Sequence, residues 1–592
     1  MEKQHNRGQD GAGVATVKLN PTPGTPFIDR TRSASQKPIA KVFKNIFDGF
    51  YKAEETNSKA LQSEEYLKDH VPFAGEVMLG HVRYGTHGKN DVSMCHPFLR
   101  SNNWMTRNLV VAGNFNMTNN DQLFNQLVEL GQHPRENKDT VTVLEKIGHF
   151  LDEEVQSVFD KYNQQGYSNR EITNFIAEEI DVHNILSRSA KDFDGGYVMA
   201  GLIGNGDAFI LRDPSGIRPV HYYMDDEIIV VTSERPAIQT AFNVPAEKVK
   251  EFGPGNALIV SRDGDLREVN VLEPRERKSC SFERIYFSRG TDKDIYKERK
   301  QLGFQLTERV LKAVDHDWEN TVFSFIPNTA EVAFYGMMHG LEQYVNEYKR
   351  EEIRNNPDMS EERLDHLLKL KPRAEKVAVK DVKLRTFITE DSARDEMVSH
   401  VYDISYGTIN KGVDNLVVLD DSIVRGTTLE KSILSILDRL GPKKIVVVSS
   451  APQIRFPDCY GIDMSKFKDF IAFRAVIDLV KERGMDDLLR KVYNDCIEME
   501  KRPMEEVENC VNQLYATFTE DEVSAKISEI VKPKHIFSEV EVIFQSVNDL
   551  HKAIPNYRGD WYFTGNFPTP GGNRVANRAF INYIEGRDER AY

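Results

Sequence analysis

The chain has 592 residues, enough at roughly 150 residues per domain for two to four domains. Its 77 Lys and Arg against 92 Asp and Glu leave a formal charge of −15, which disfavours a polyanion such as DNA as partner. With 40% hydrophobic and 29% charged residues it has the composition of a globular protein, which excludes a largely disordered chain. No apolar run approaches the roughly 18 residues of a membrane span and no apolar leader opens the chain, so the expectation is a cytoplasmic protein with neither membrane nor nucleic acid as partner. Cys95, Cys280, Cys459, Cys496 and Cys510 lie far apart, which argues against a disulfide framework and a short-spaced zinc site.

The chain runs from Met1 almost directly into Gly8, Gly11 and Gly13, spaced as though a structured element were already in place, so it reads as an internal start. Short strand-like runs at 77–80, 108–112, 196–203, 208–212, 228–232 and 257–261 then alternate with turn residues and one helical region, 140–159. This predicts an α+β domain on antiparallel sheets over residues 1–272. A polar linker follows, Glu273-Pro274-Arg275-Glu276-Arg277-Lys278. From residue 273 to 485 apolar strands alternate with amphipathic helices, the pattern of an α/β domain with a parallel sheet. Within it, 349–376 is densely charged and reads as a solvated helical insertion. Residues 486–592 read as a mostly helical packing extension.

The strongest chemical signal is Asn415-Leu416-Val417-Val418-Leu419-Asp420-Asp421-Ser422-Ile423-Val424-Arg425-Gly426-Thr427-Thr428. A buried strand ends in two carboxylates, and a loop of small and hydroxyl residues leads into a helix at 429–440. Thr427 and Glu430 have the spacing of a capping box. Loop N–H groups at a positive helix end suit a phosphate, and the acidic pair suits ribose hydroxyls or a hydrated Mg²⁺.

This segment resembles the phosphoribosyl-diphosphate (PRPP) motif of type I phosphoribosyltransferases. Further segments narrow the resemblance to the glutamine amidophosphoribosyltransferase family, which opens purine synthesis. They are 280–289 (CSFERIYFSR), 450–457 (SAPQIRFP) and 460–464 (YGIDM), and in the first half 7–10 (RGQD), 80–84 (GHVRY), 212–219 (RDPSGIRP) and 232–234 (TSE). The resemblance spans residues 4–480, with one more match near the end. It implies an N-terminal-nucleophile glutaminase domain, with stacked antiparallel sheets between helices, followed by the phosphoribosyltransferase domain. Glutamine would be held by Arg83 and Asp139, with Asn114 and the N–H of Phe115 as oxyanion hole. PRPP would be bound by Asp420, Asp421, Ser422, Arg425, Gly426, Thr427 and Thr428, with Asp420 and Asp421 also facing Mg²⁺. Arg7, Tyr84 and Asp463 would couple the two sites. The resemblance further implies purine nucleotides as inhibitors and a homo-oligomer.

Several positions depart from the family pattern. Its nucleophile is an N-terminal Cys whose α-amine serves as base, yet no Cys precedes Cys95. The chain is therefore expected to bind glutamine without hydrolysing it, its start being truncated. Phe115 replaces a Gly, so the oxyanion hole either uses ordinary dihedrals or is altered. Ile326-Pro327-Asn328-Thr329-Ala330 lacks the family's final hydroxyl, and 389–396 replaces a basic run in the loop that closes over PRPP. Some members hold an iron–sulfur cluster on four Cys. Here Asp458, Gly559 and Tyr562 stand where three of them would be and Cys280 alone remains, so no cluster is expected. Two other readings are a non-catalytic PRPP-sensing regulator and an ammonia-dependent synthase with a vestigial glutaminase domain. The acidic chain shows no basic helical module, which counts against the regulator.

Overall fold

The computed structural model describes residues 1–592 apart from 57–58, 86–90, 328, 381–401, 463 and 592. The described chain divides into two compact units, one of residues 1–279 with 458–463, the other of 280–457 with 464–591.

In the first unit, β1 (Gly11–Val17) lies between β2 (Ile28–Ser33) and β3 (Val77–Arg83) and is antiparallel to both. A second antiparallel sheet holds β4 (Phe98–Arg100), β5 (Leu109–Met117), β6 (Gly195–Ile203) and β7 (Ala208–Arg212). A separate hairpin, β8 (His221–Met224) and β9 (Ile229–Thr232), precedes β10 (Asn256–Val260) and β11 (Leu266–Asn270), which complete that sheet beyond β7. Side chains alternate across a strand, so Leu109, Val111, Met199 and Ile203 share one face. There they pack on Val143, Leu144, Ile147, Leu151 and Val155, which recur at helical spacing in helix Asp139–Asn163. Val110 and Leu202 turn to the other face, against Ala15 and Val17 of the first sheet. That sheet's far face, at Ala12 and Val14, takes Ile39, Val42 and Ile46 of helix Pro38–Thr56. The layers are thus helix, sheet, sheet, helix, as the resemblance implies. β1 is absent from the strands expected from sequence because Gly11, Ala12, Gly13 and Ala15, which carry little strand preference, fill four of its seven positions.

The second unit is built on a parallel sheet of β12 (Thr321–Phe325), β13 (Arg373–Ala374), β16 (Asn415–Asp420), β17 (Lys444–Ser449) and β18 (Glu539–Phe544) in the order β13-β12-β16-β17-β18. A small antiparallel pair, β14 (Ala378–Lys380) and β15 (Tyr402–Ile404), stands apart. Phe323, Phe325, Val417, Leu419, Val446 and Val448 pack on Ala333, Phe334, Met337 and Leu341 of helix Glu331–Asn355. From β12 the chain moves outward to β13 and then returns past β12 to β16, so the strand order reverses between β12 and β16. Open α/β sheets bind ligands in the crevice at the carboxyl ends of the strands at such a point.

Residues 486–591, read from sequence as a mostly helical packing extension, lie in the compact body of this unit and supply β18 among their helices. The helix after the Asp420–Thr428 loop begins earlier than a Thr427–Glu430 capping box would require. The N–H of Glu430 donates to the carbonyl of Gly426, so Thr427 is already inside the helix. In the charged stretch 349–376, helix Glu361–Lys369 buries Leu367, leaves Leu368 exposed and leads to β13.

Candidate active sites

Asp420 closes β16, and its neighbour across the reversal point is the end of β12, where the N–H of Ile326 donates to the carbonyl of Leu419 at 2.8 Å. The next strand pins the loop from its other side. The N–H groups of Ser450 and Ala451 donate to the carbonyls of Asp420 and Asp421 at 2.9 and 3.0 Å. The carboxylates order the turn, since Asp420 Oδ1 accepts from the N–H of Asp421 at 2.9 Å and Asp421 Oδ1 from the hydroxyl of Ser422 at 3.0 Å. Both remain partly exposed, as do Ser422, Arg425, Thr427 and Thr428. Gly426 has φ of 73°, which lets the backbone turn into the helix that starts at Thr427. Arg425 lies 3.6 Å from the Asp469 carboxylate. The structure thus brings the seven expected PRPP residues into one loop with oxygen donors first and helix N–H groups last. That order suits a sugar bearing a phosphate.

In the first unit Arg83 ends β3, and its carbonyl accepts from the N–H of Asp10 at 2.9 Å. Gly8 is held so closely that a Cβ there would stand 2.4 Å from Arg83 N. Asn114 and Phe115 lie in β5 opposite Val198 and Tyr197 of β6. Phe115 has an ordinary extended conformation and is not among the residues of positive φ, so its replacement of Gly needs no strain at this position. β3 and β5 meet at His81, whose Nε2 donates to the carbonyl of Gly113 at 3.1 Å. Arg83, Asn114 and Phe115 therefore share one neighbourhood. Asp139 opens helix Asp139–Asn163, and its Oδ1 accepts from its neighbour's N–H at 2.6 Å. Nearby Asn137 bonds to Asn120 and Asp121 at 2.7 and 2.9 Å, which ties this helix start to the exit of β5. Cys95 is buried, its thiol donating to the carbonyl of Ser33 at 3.6 Å, and burial pushes that thiol up despite the nearby Arg83 and Arg32 guanidinium groups.

Arg7 and Tyr84 also converge. Arg7 pairs with the buried Glu234 carboxylate at 3.1 Å, Asn6 donates to both oxygens of Glu234, and the hydroxyl of Tyr84 donates to the carbonyl of Asn6 at 2.9 Å. Segment 458–463 is part of this unit. Asn116 donates to the carbonyl of Cys459 at 2.7 Å and Arg218 to that of Tyr460. Gly461, at φ 110°, lies close enough that a Cβ would be 3.6 Å from Asn114 Oδ1. Asn116 went unnoticed in the sequence, its only signal being its place two residues after Asn114, on the same face of the strand. Asp463, Asn328 and the 389–396 replacement lie outside the described residues.

The iron–sulfur positions do not fit a cluster. Cys280 Sγ accepts from the N–H of Glu283 at 3.4 Å, Gly559 has no side chain, and Tyr562 packs on Phe282 with ring centres 5.3 Å apart. The Asp458 carboxylate caps its own turn, accepting from the N–H groups of Tyr460 and Ile462. One thiol cannot replace the four such clusters require.

No protein-family model matches the chain. Among curated proteins it is 27% identical over 499 residues to the amidophosphoribosyltransferase of Pasteurella multocida, covering 82% of each chain. It is 25% identical over 508 residues to that of Escherichia coli, covering 84% of this chain and 83% of the relative. Among solved structures, the glutamine PRPP amidotransferase of B. subtilis complexed with ADP and GMP superposes with a TM-score of 0.57 at 23% identity, over 96% of this chain and 92% of that one. The likeness runs through both units, and on these relatives the chain is a homologue of the amidophosphoribosyltransferases, which are pentosyltransferases.

Proposed function

We propose that the chain transfers the ribosyl group of PRPP to ammonia, giving 5-phosphoribosylamine and pyrophosphate, the opening step of purine synthesis. The observation that carries this reading is the Asp420–Thr428 loop at the reversal point of a parallel sheet. In the reaction the bond from C1 to the pyrophosphate oxygen breaks, the ammonia lone pair forms the C1–N bond, and the nitrogen then loses a proton. Asp420 and Asp421 hold the ribose hydroxyls and the N–H groups of 425–428 hold the 5-phosphate, which fixes C1 for attack. The partly exposed carboxylates and the Ser422 hydroxyl are hard oxygen donors and fit Mg²⁺, which when bound offsets the charge of the leaving pyrophosphate.

In the first unit Arg83 and Asp139 take the α-carboxylate and α-ammonium of glutamine, while Asn114 and the N–H of Phe115 face its amide oxygen. Cys95 does not suit the role of glutaminase nucleophile, being an internal thiol without an α-amine and raised by burial rather than activated. Arg7, Tyr84 and Asp463 are proposed to couple the two sites, and purine nucleotides to inhibit, as the ADP and GMP bound by the B. subtilis protein suggest.

The test is thermal unfolding with PRPP and Mg²⁺. At a hundred times its dissociation constant a ligand that binds only the folded state adds about 2.7 kcal/mol. The double variant Asp420→Asn/Asp421→Asn should lose the shift, and ammonia-dependent pyrophosphate release should vanish with it. A shift that survives the double substitution would place PRPP elsewhere.

A further inference from the structure

Among the described residues, β4 pairs with β5 only from Leu109 to Val111. Beyond that point the outer edge of β5 has no strand beside it, while β6 continues along its inner edge to Met117. In an antiparallel ladder alternate residues turn their N–H and C=O groups to opposite edges, so Gly113 and Phe115 present theirs to the same side. Two imidazoles take the groups of Gly113. Its N–H donates to His96 Nδ1 at 3.4 Å, its carbonyl accepts from His81 Nε2 at 3.1 Å, and the two rings stack with centres 4.4 Å apart.

Position 113 itself requires glycine, because a Cβ there would stand 2.5 Å from the carbonyl oxygen of Val198 on β6. The Phe115 ring meets His96 edge-on at 5.9 Å. The bonding pattern also fixes the protons: His96 accepts at Nδ1, and His81 donates from Nε2. Burial, with Arg83 facing both rings and Arg32 facing His96, keeps both imidazoles neutral, and His81 is pushed down to about 4.

We propose that His81 and His96 are positioning residues for the glutamine amide. By holding both peptide groups of Gly113 they fix the open edge of β5, so that the Phe115 N–H and the Asn114 side chain stay aimed at the amide oxygen. This inference rests on reading the first unit as a glutamine site. An edge segment without such clamps is free to twist or pair elsewhere, and oxyanion donors act only when held in place beforehand.

The experiment is equilibrium binding of L-glutamine and of L-norvaline, whose side chain ends in a methyl group where glutamine carries its amide, to the full chain. Two hydrogen bonds to the amide oxygen should make the wild type prefer glutamine about tenfold. His96→Phe keeps an aromatic ring but not the acceptor, and should cut the preference below about threefold while leaving norvaline affinity unchanged. His96→Asn, which puts an amide oxygen near the former Nδ1, should restore it. Should His96→Phe fail to fold, His81→Leu against His81→Gln makes the same comparison. Full preference in His96→Phe, or equal loss of both ligands, would overturn the proposal. Equal wild-type affinity for the two ligands would overturn it while leaving the roles of Arg83 and Asp139 intact. Binding of neither by the wild type would overturn the glutamine reading, and this inference with it.

Discussion

Gly426→Ala tests whether the proposed PRPP loop is built as described, because two separable effects act there. Gly426 has φ of 73°, and the left-handed region costs an L-residue about 1–2 kcal/mol. A Cβ would also lie 3.1 Å from Val531 Cγ1 and 3.2 Å from two carbons of Ile471, both fully buried. Crowding of that kind adds about 1 kcal/mol, the low end for overpacking. Gly484 provides the control, since its φ is 63° and a Cβ there meets nothing within 4 Å. Gly484→Ala should therefore show the conformational cost of about 1–2 kcal/mol alone. Gly426→Ala should exceed it by about 1 kcal/mol and also weaken PRPP binding by about 5- to 30-fold, as 1–2 kcal/mol of misalignment dictates. Differential scanning calorimetry reads the first difference in the transition that PRPP shifts, and isothermal titration with PRPP and Mg²⁺ reads the second. Equal destabilisation by the two substitutions, with PRPP affinity in Gly426→Ala within twofold of wild type, would refute the account of the loop.

Glu234→Ala removes the carboxylate that pairs with Arg7 and accepts from Asn6, and breaking such a buried pair should cost about 3 kcal/mol in the first unit, measurable by urea unfolding. Burial acts to raise the Glu251 carboxyl, but Arg212 and Arg277 outweigh it and hold the group at about 2. A carboxylate depressed in the folded state contributes stability that is complete above its unfolded value near 4.5 and lost as pH falls toward 2. Glu251→Gln should therefore flatten the loss of stability between pH 4.5 and 2, and an unchanged acid limb in calorimetry would contradict the pairing. If segment 458–463 links the sites, PRPP should change glutamine affinity in the wild type by at least fivefold, a typical coupling. Asn116→Ala, which removes the hydrogen bond to the Cys459 carbonyl, should reduce that change without altering PRPP affinity, as titration of one ligand at saturating amounts of the other would show.

How far the sequence could be read depended on the distance over which each feature is determined. The local structure of the Asp420–Thr428 loop was legible because its pieces are contiguous: an apolar strand, two carboxylates, a glycine and a helix start fall within fourteen residues. The strands of the first half were legible where apolar and β-branched residues run together, as in Val110-Val111 and Phe209-Ile210-Leu211, even though both faces are buried there. That signal was weak at β1, where Gly11, Ala12, Gly13 and Ala15 fill four of seven positions, and it was overlooked in β18, where Glu539-Val540-Glu541-Val542 alternates at a sheet edge amid helical neighbours.

The clamp on Gly113 marks a different limit. His81 stood in a recognised motif and His96 beside Cys95, yet neither shows in sequence that its partner is a backbone group 32 or 17 residues away. Their role follows from where β4 stops, since one more pair of β4 residues would have supplied strand partners to Gly113 and left the imidazoles without a function. A strand that stops short of its neighbour thus creates a demand for hydrogen bonds that the local sequence does not display. The side chains that meet it are found by asking which buried backbone groups the sheet leaves unserved. The same question, applied to Asn116 and the carbonyl of Cys459, singles out the contact by which segment 458–463 is held against β5.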